Sequence, residues 1–314
     1  MRNFPPRAAY RLAFAARNAK LIPVEATSMK TGLVLEGGAM RGLFTAGVLD
    51  VLMEHGISCD GMIGVSAGAA FGCNFKSRQI GRVLRYNLRF CRYWRYASWR
   101  SLFLTGDLFG AKFCYHTLPE KLDVFDAKEF ARNPLEFQLV CTDVATGAPV
   151  YRRCDVADHA AMEWIRASSS MPLVSRPVEI EGRKYLDGAL SDSIPLEYFE
   201  KLGFKRNIVV LTQPEGYVKR RSKLESLVRL LLIRYPKVAE AVRRRAERYN
   251  RQLDFVREAE KSGRAFVIRP EAPLPISRVT HDPNAIRRVH SLGVEAAEKQ
   301  LEAIQAFLRE SKNA

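Results

Sequence analysis

Long apolar runs and paired cysteines are both missing from this chain of 314 residues. A helix that spans a bilayer needs about 20 consecutive apolar residues, and no stretch approaches that length. Arg11, Arg17 and Lys20 interrupt the apolar residues of the N-terminal segment, which therefore lacks the hydrophobic region of a signal peptide. The six cysteines include no Cys-x-x-Cys pair, which argues against a cysteine metal site and favours a reducing compartment. We expect a cytoplasmic protein that at most attaches peripherally to the inner face of a membrane.

Acidic residues are also absent from a long segment. No Asp or Glu lies between Gly61 and Gly106, in a chain whose net charge is +16. Within this segment four arginines recur at helical spacing among aromatic residues: Arg82, Arg85, Arg89 and Arg92. A basic helix with aromatic flanks can lie on anionic lipid, although a solvated helix face above ordinary core gives the same pattern. No nucleic-acid-binding motif accompanies the charge, so we expect no nucleic-acid partner.

Two short glycine motifs are the most informative features. The first is Glu36-Gly37-Gly38-Ala39-Met40-Arg41-Gly42, and the second is Gly64-Val65-Ser66-Ala67-Gly68. The second fits G-x-S-x-G, the nucleophile elbow, in which a sharp strand-to-helix turn exposes the serine. The first supplies backbone N–H groups at a predicted helix N-terminus, where they can stabilise negative charge. A nucleophile beside such a loop is typical of acyl transfer.

The spacing of the two motifs adds to their meaning. The stretch from Leu33 to Ser66 has the length of a strand–helix–strand unit. A right-handed crossover makes the two strands parallel and brings both loops to the carboxyl edge of the sheet, where open α/β folds bind ligands. The alternative is a nucleotide site. Ala39 breaks the G-x-G-x-x-G pattern, and no Lys-Ser/Thr follows for a P-loop.

A third motif, Tyr185-Leu186-Asp187-Gly188-Ala189, reads as a short strand that ends at an aspartate. Taken alone, Asp187-Gly188 is most often a surface turn. Taken together, the three motifs resemble the patatin-like phospholipase family, that is, bacterial patatin-like serine acyl hydrolases. The resemblance extends along residues 31–213 and includes the serine-rich run from Ser168 to Pro172.

The resemblance implies an α/β fold with an open, mostly parallel sheet and helices on both faces. It also implies a Ser–Asp dyad, with Ser66 as nucleophile and Asp187 as base, an oxyanion hole at Gly37, Gly38 and Ala39, and no metal or other cofactor. Burial would raise the pKa of Asp187 above the usual value of about 3.9 and make it a better base. The motifs contribute further supporting residues, namely Met40, Arg41, Gly42, Gly64, Gly68, Gly188 and Ala189. Ala39 departs from the pattern, because it replaces a third glycine and alanine resists positive φ.

The organisation that we expect has three parts: a basic leader (1–30), the catalytic α/β domain (31–213) and a basic, mostly helical extension (214–314). Within these parts, further strands are predicted at Leu135 to Cys141, Val178 to Ile180, Lys184 to Leu186, Asn207 to Leu211 and Ala265 to Ile268. One amphipathic final helix is predicted from about Asn284.

The predicted function is a lipid acyl hydrolase of the phospholipase A type that cleaves carboxylic esters through an acyl-enzyme. A thioesterase or small-ester esterase stays open, as does a non-catalytic protein that binds anionic membrane or RNA on a hydrolase scaffold. The sequence also allows a Ser–Asp–His triad, since His281 and His290 follow Asp187 in the chain. A solvated position is the simpler interpretation of both histidines.

Overall fold

A computed structural model describes residues 29–221 and 232–310. The predicted leader lies almost entirely outside these residues. Eight strands form one sheet: β1 (Lys30–Leu35), β2 (Gly61–Val65), β3 (Glu136–Asp143), β4 (Pro149–Arg153), β5 (Val178–Ile180), β6 (Arg183–Asp187), β7 (Phe204–Val210) and β8 (Ala265–Ile268). Their order is β5-β6-β3-β2-β1-β7-β8, with β4 paired to β3.

Ten α-helices are described: α1 (Gly42–Glu54), α2 (Ala67–Lys76), α3 (Arg82–Phe90), α4 (Trp99–Thr105), α5 (Ala127–Arg132), α6 (His159–Ser168), α7 (Leu196–Lys201), α8 (Pro236–Lys261), α9 (Pro283–Glu298) and α10 (Leu301–Glu310). A π-helical segment covers Phe113–Leu122, and 3₁₀ turns cover Ala39–Arg41 and Gly188–Leu190. No helix within the described ranges combines the length and the apolar composition needed to cross a membrane.

The centre of the sheet is parallel and its β5-β6 side is antiparallel. Strand β1 pairs in parallel with β2 and β7, while β3 pairs in parallel with β2 and antiparallel with β6. Leu33 and Leu35 pack into a layer with α1 and α9, whereas Val34 faces the opposite layer, which contains α7 and α8. This arrangement follows from the alternation of side chains along a strand, and it confirms the predicted open, mostly parallel α/β sheet with helices on both faces.

The C-terminal residues are built into this architecture. Strand β8 pairs in parallel with β7. Helix α9 crosses α1 so closely that a methyl group on Gly293 would lie 2.0 Å from the carbonyl oxygen of Phe44. Only glycine allows such an approach between two helix backbones. The extension is therefore fixed against the sheet and can contribute side chains to a site at its edge.

The predicted strands agree with the structure to within about three residues at each end. Strand β4 was not predicted, because it begins at Pro149, ends in Arg152-Arg153 and contains two apolar residues. The predicted final helix was wrong in its continuity, since it is divided into α9 and α10.

Candidate active site

Ser66 occupies the sharp turn between β2 and α2. Its backbone has φ +55° and ψ −122°, a left-handed conformation that is rare for a residue with a side chain and costs on the order of 1–3 kcal/mol. The turn is so tight that a methyl group on Gly68 would lie 2.5 Å from the carbonyl oxygen of Leu35. Ser66 therefore stands at the N-terminus of α2, where the helix dipole favours negative charge.

The Ser66 hydroxyl points at Asp187, 121 residues away in the chain. Ser66 Oγ donates a hydrogen bond of 2.7 Å to Asp187 Oδ2. The Ala189 N–H donates to Asp187 Oδ1 at 2.8 Å and fixes the carboxylate in place. Two of the predicted site residues, one at the end of β2 and one at the end of β6, are thus in direct contact.

Asp187 is buried, with 1% of its surface exposed. Burial raises its pKa to about 6, although the Ala189 N–H, the Ser66 hydroxyl and the charge of Arg245 each lower it. Because a charged group loses water when it is buried, the protonated form gains relative stability. Near neutral pH the carboxylate is still mostly ionised, and it is more basic than an exposed aspartate.

Ser168 is a further site residue, and sequence reasoning gave it no role. The backbone N–H of Ser66 donates to Ser168 Oγ at 3.0 Å, and Ser168 Oγ donates to the Val140 carbonyl at 2.7 Å. This relay ties the serine turn to α6 and β3. The only signal in the sequence was the serine-rich run to which Ser168 belongs.

The first glycine motif packs directly against Ser66. A methyl group on Gly37 would lie 2.8 Å from Ser66 Cβ, so only glycine fits there. In the described part of the chain, the N–H groups of Gly37 and Gly38 have no hydrogen-bond acceptor. Ala39 has φ +50°, so the alanine adopts the positive φ that its glycine counterpart would tolerate more easily.

Glu36 anchors the start of the glycine loop in the protein interior. It is 1% exposed, and its Oε2 accepts hydrogen bonds from Thr212 N at 2.6 Å and from Thr212 Oγ1 at 3.0 Å. Its Oε1 accepts a bond of 2.6 Å from the Tyr249 hydroxyl on α8. A buried carboxylate that accepts three hydrogen bonds is a rigid support, so the C-terminal extension helps to hold the loop.

A cavity of about 530 Å³ opens beside Ser66 and Ala39. Most of its wall is apolar or aromatic, and it includes Phe71, Tyr86, Tyr96, Leu108, Leu118 and Ile165. Cavities of this size and composition bind apolar ligands. An elongated hydrocarbon chain is a suitable occupant.

The two histidines considered for a triad bind other groups. His281 Nδ1 contacts the Cys91 carbonyl, and His290 Nε2 lies 2.9 Å from Asp50 Oδ2 in the α1–α9 interface. His290 is 8% exposed, so the expected solvated position was wrong for it. In the described residues, Asp187 has hydrogen bonds to Ser66 and Ala189 through its side chain and none to a histidine.

One cluster in the described residues has metal-ligand character. His116, His159 and Glu163 have ligand atoms within 4.8 Å of one another. His116 Nε2 lies 2.8 Å from Glu163 Oε1, while Glu163 Oε2 accepts a bond from Arg166. The hydrogen bond between His116 and Glu163 and the stacking of the His159 ring on His116, with ring centres 4.7 Å apart, account for the cluster.

The four arginines predicted to contact lipid are less available than their spacing indicates. Arg82 is 3% exposed and donates to Asn74 Oδ1 at 2.8 Å, so its prediction as a lipid contact was wrong. Arg85 pairs with Asp123 at 2.8 Å, and Arg89 donates to the Leu122 carbonyl. Arg92 is exposed. A regular arginine spacing does not reveal a distant acceptor, and this explains the error.

Helix α8 supplies a basic residue that no motif indicated. Arg245 Nε donates to the Ala189 carbonyl at 2.7 Å, and Ala189 in turn donates its N–H to Asp187. Its guanidinium is therefore close enough to lower the pKa of Asp187. The sequence showed only a run of three arginines, and nothing local indicates which of them turns toward the site.

This fold is that of the patatin-like phospholipase class, and comparison of the sequence agrees. The family model described as patatin-like phospholipase matches residues 33–200, and the chain belongs to that family. A second model, a domain of unknown function (DUF6363), matches residues 235–309.

Relatives extend the comparison. An uncharacterized protein of Escherichia coli, YjjU, is 28% identical over 301 residues, covering 84% of this chain and 75% of the relative. Lysophospholipase nte1 of Aspergillus fumigatus is 28% identical over 181 residues, which is 55% of this chain but only 11% of that much longer protein. Among solved structures, VipD from Legionella pneumophila aligns with a TM-score of 0.44 at 11% identity, covering 88% of this chain and 67% of VipD.

Proposed function

We propose that the protein is a lipid acyl hydrolase of the phospholipase A type, with Ser66 and Asp187 as its catalytic dyad. The observation that carries the proposal is the 2.7 Å hydrogen bond from Ser66 Oγ to Asp187 Oδ2 beside an apolar cavity of about 530 Å³. The family supports hydrolysis of lipid esters in general, and the named lysophospholipase relatives point in the same direction.

In this mechanism, Ser66 Oγ attacks the ester carbonyl while Asp187 takes the hydroxyl proton. The N–H groups of Gly37, Gly38 and Ala39, with the N-terminus of α2, stabilise the oxyanion. Asp187 then returns the proton to the departing alcohol, which leaves an acyl group on Ser66. A water molecule attacks this acyl-enzyme, Asp187 accepts its proton, and the proton passes to Ser66 Oγ as the fatty acid leaves.

Two features favour this proposal over its alternatives. A small-ester esterase needs no cavity of about 530 Å³ with an aromatic and aliphatic wall. A degenerate, purely binding scaffold has no need to keep Ser66 strained at φ +55° or Ala39 at φ +50°. A thioesterase uses the same dyad, so thioesters belong in the substrate panel.

The test is labelling with a fluorophosphonate, which reacts with an activated serine, together with hydrolysis of a lysophospholipid. We expect Ser66→Ala to abolish both signals and leave the melting temperature within a few degrees of wild type. Ser262→Ala replaces an exposed serine at the end of α8 and serves as the matched control. Full labelling of Ser66→Ala would contradict the assignment.

We also propose that α4 and its basic neighbours contact a lipid surface. Trp99, Phe103 and Leu104 are 75%, 90% and 56% exposed. The guanidinium of Arg100 lies 4.6 Å from the Trp94 ring, and Arg92 and Arg95 are also exposed. Apolar side chains surrounded by arginines suit an anionic membrane. The segment adjoins the cavity, because Tyr96, Leu108 and Phe109 line the cavity wall.

Trp99→Ser combined with Phe103→Ser tests this contact. Each large side chain contributes roughly 1.5–3 kcal/mol when it is buried, so we expect vesicle binding to weaken by at least tenfold. Val156→Ser is the control, because Val156 is also exposed (51%) but lies outside α4. It follows β4, and the end of β4 pairs with the start of β3, at the edge of the sheet opposite Ser66. Equal vesicle binding by the double variant and the wild type would refute the contact.

A further inference from the structure

Three basic side chains from outside the segment matched by the patatin family approach the site. Arg245 on α8 donates to the Ala189 carbonyl at 2.7 Å, next to the carboxylate of Asp187. Arg278, between β8 and α9, lines the cavity into which Ser66 opens. Lys219 lies with its Nζ 4.3 Å from the ring centre of Tyr249, whose hydroxyl binds Glu36 below the glycine loop.

These three cations form no direct ion pair among the described residues. In the described ranges, none of them forms an ion pair with a carboxylate within 4 Å. Other arginines of the same helix are paired: Arg244 with Glu240, and Arg251 with Glu247. Helix α8 therefore neutralises these outward-facing charges, whereas Arg245, which faces the site, makes no direct ion pair with a carboxylate of the described residues.

The charges of these cations act on Lys219, and Arg41 adds a fourth cation to the cluster. The pKa of Lys219 is lowered to about 7, chiefly by burial and also by the charges of Arg245, Arg41 and Arg278, against the opposing effect of Glu36. Arg41, in the glycine loop, adds a buried Nε atom that has no hydrogen-bond partner among the described residues. A methyl group on Gly38 would lie 3.3 Å from that atom, which places it beside the loop.

The charge balance indicates the ligand. When all groups are ionised, four cations (Arg41, Lys219, Arg245 and Arg278) face two carboxylates (Glu36 and Asp187), which leaves an excess of two positive charges. A phosphate monoester carries about −1.5 to −2 at neutral pH. A zwitterionic headgroup brings a cation of its own, which this cluster would repel.

We propose that Lys219, Arg245 and Arg278 bind the phosphate of a lipid substrate whose headgroup has no compensating cation. The inference rests on the proposed function, since it places this phosphate beside the ester that Ser66 attacks. It also assigns a role in substrate selection to the C-terminal extension, most of which matches a domain of unknown function.

The experiment compares three soluble esters with the same hexanoyl chain: lysophosphatidic acid, lysophosphatidylcholine and monoacylglycerol. We expect wild-type kcat/KM to be highest for lysophosphatidic acid. Each lost charge-assisted contact costs about tenfold, so Lys219→Gln with Arg278→Gln should lower that value by about 100-fold. The same double variant should change the monoacylglycerol value by about threefold at most, since that substrate carries no charge. Arg251→Gln, a paired arginine on the outer side of α8, is the matched control.

Binding without catalysis separates this inference from the proposed function. Calorimetric titration of the full-length protein with glycerol 3-phosphate and with inorganic phosphate reports on the cluster even if no ester is hydrolysed. Tighter binding of glycerol 3-phosphate indicates a lipid headgroup, and equal binding indicates a site for free phosphate, which would overturn the headgroup assignment. The inference also fails if the double variant binds glycerol 3-phosphate like the wild type, or if it lowers kcat/KM equally for charged and uncharged esters. Loss of all ester hydrolysis in the wild type would instead overturn the proposed function.

Discussion

Replacing Asp187 by asparagine should abolish activity and at the same time stabilise the folded protein. Asparagine has nearly the same shape, can accept the hydrogen bond from Ala189 N and can donate to Ser66 Oγ, so the contacts of the site are preserved. It cannot accept a proton from the serine. Loss of correct base function in serine hydrolases costs about 10⁴-fold in kcat, and we expect a loss on that order.

The stabilising effect follows from the raised pKa of Asp187. Its pKa is about 6 in the folded protein, compared with a reference value of 3.8. Between about pH 4 and pH 6 the folded protein retains a proton that the unfolded chain has lost. The free energy of unfolding therefore decreases as the pH rises through this window. A shift of roughly two units corresponds to about 3 kcal/mol, which is an upper estimate of what the buried charge costs above pH 6.

The assay has two parts. Thermal unfolding at about pH 4 and pH 7.5 should show a higher melting temperature for Asp187→Asn at the upper pH and little difference at the lower one. In the wild type, kcat/KM for a neutral soluble ester should rise with pH to a plateau, with a midpoint near 6, as the base ionises. Asp155→Asn, at an exposed carboxylate, is the control and should change stability by no more than about 0.5 kcal/mol.

Two results would refute this reasoning. One is a melting temperature of Asp187→Asn that lies below the wild type at both pH values, because the buried charge then carries no cost. The other is a wild-type kcat/KM that stays constant from about pH 5 to pH 8, because the base would then titrate outside the range set by its burial.

Three further predictions concern the loop, the cavity and α8. Ala39→Gly should raise stability by up to about 1 kcal/mol, or turnover by up to about fivefold, because glycine adopts φ +50° at lower cost. Thermal unfolding and stopped-flow acylation measure these two quantities, and a decrease in both would contradict the strain argument. The kcat/KM values for a series of neutral esters should rise about fourfold per added methylene until the cavity of about 530 Å³ is filled; a flat series would favour a small-ester esterase. Arg245→Gln should shift the midpoint of the pH–kcat/KM profile upward, since the charge of Arg245 lowers the pKa of Asp187; an unchanged midpoint would show that the guanidinium acts only as a structural donor.

Local patterns predicted the backbone at the centre of the candidate site, because short stretches of chain fix this backbone. A glycine-serine-glycine turn after an apolar strand sets the backbone of Ser66 within a few residues. The parallel pairing of β1 and β2 follows from the length of the segment between them. The contact between Ser66 and Asp187 is different, since it joins residues 121 positions apart. It could be predicted only through the family resemblance.

The remaining parts of the site depend on long-range contacts that periodicity does not encode. Arg82 was expected on a lipid-facing surface, but Asp123 and Asn74 bind it in the interior. His290 sits in a polar stretch of sequence, yet the α1–α9 interface buries it against Asp50. The acidic partners Asp123 and Asp50 lie 41 and 240 residues away from Arg82 and His290, so a hydrophobicity pattern cannot distinguish a buried ion pair from a solvated residue.

The same limit explains why the role of the extension could not be read from the sequence. Helix α8 contributes Tyr249 beneath the glycine loop and Arg245 beside Asp187. The backbone of α9 lies too close to α1 for any side chain to be added at Gly293. The glycine loop and the Ala189 turn beside Asp187 are thus each supported by a hydrogen bond from α8. A chain ending at residue 213 would leave Glu36 without its Tyr249 donor and would expose the α8-facing side of the sheet. The segment that carries Ser66 and Asp187 therefore depends on the extension for its geometry, and the proposed substrate selection by the extension would need no change in the proposed dyad.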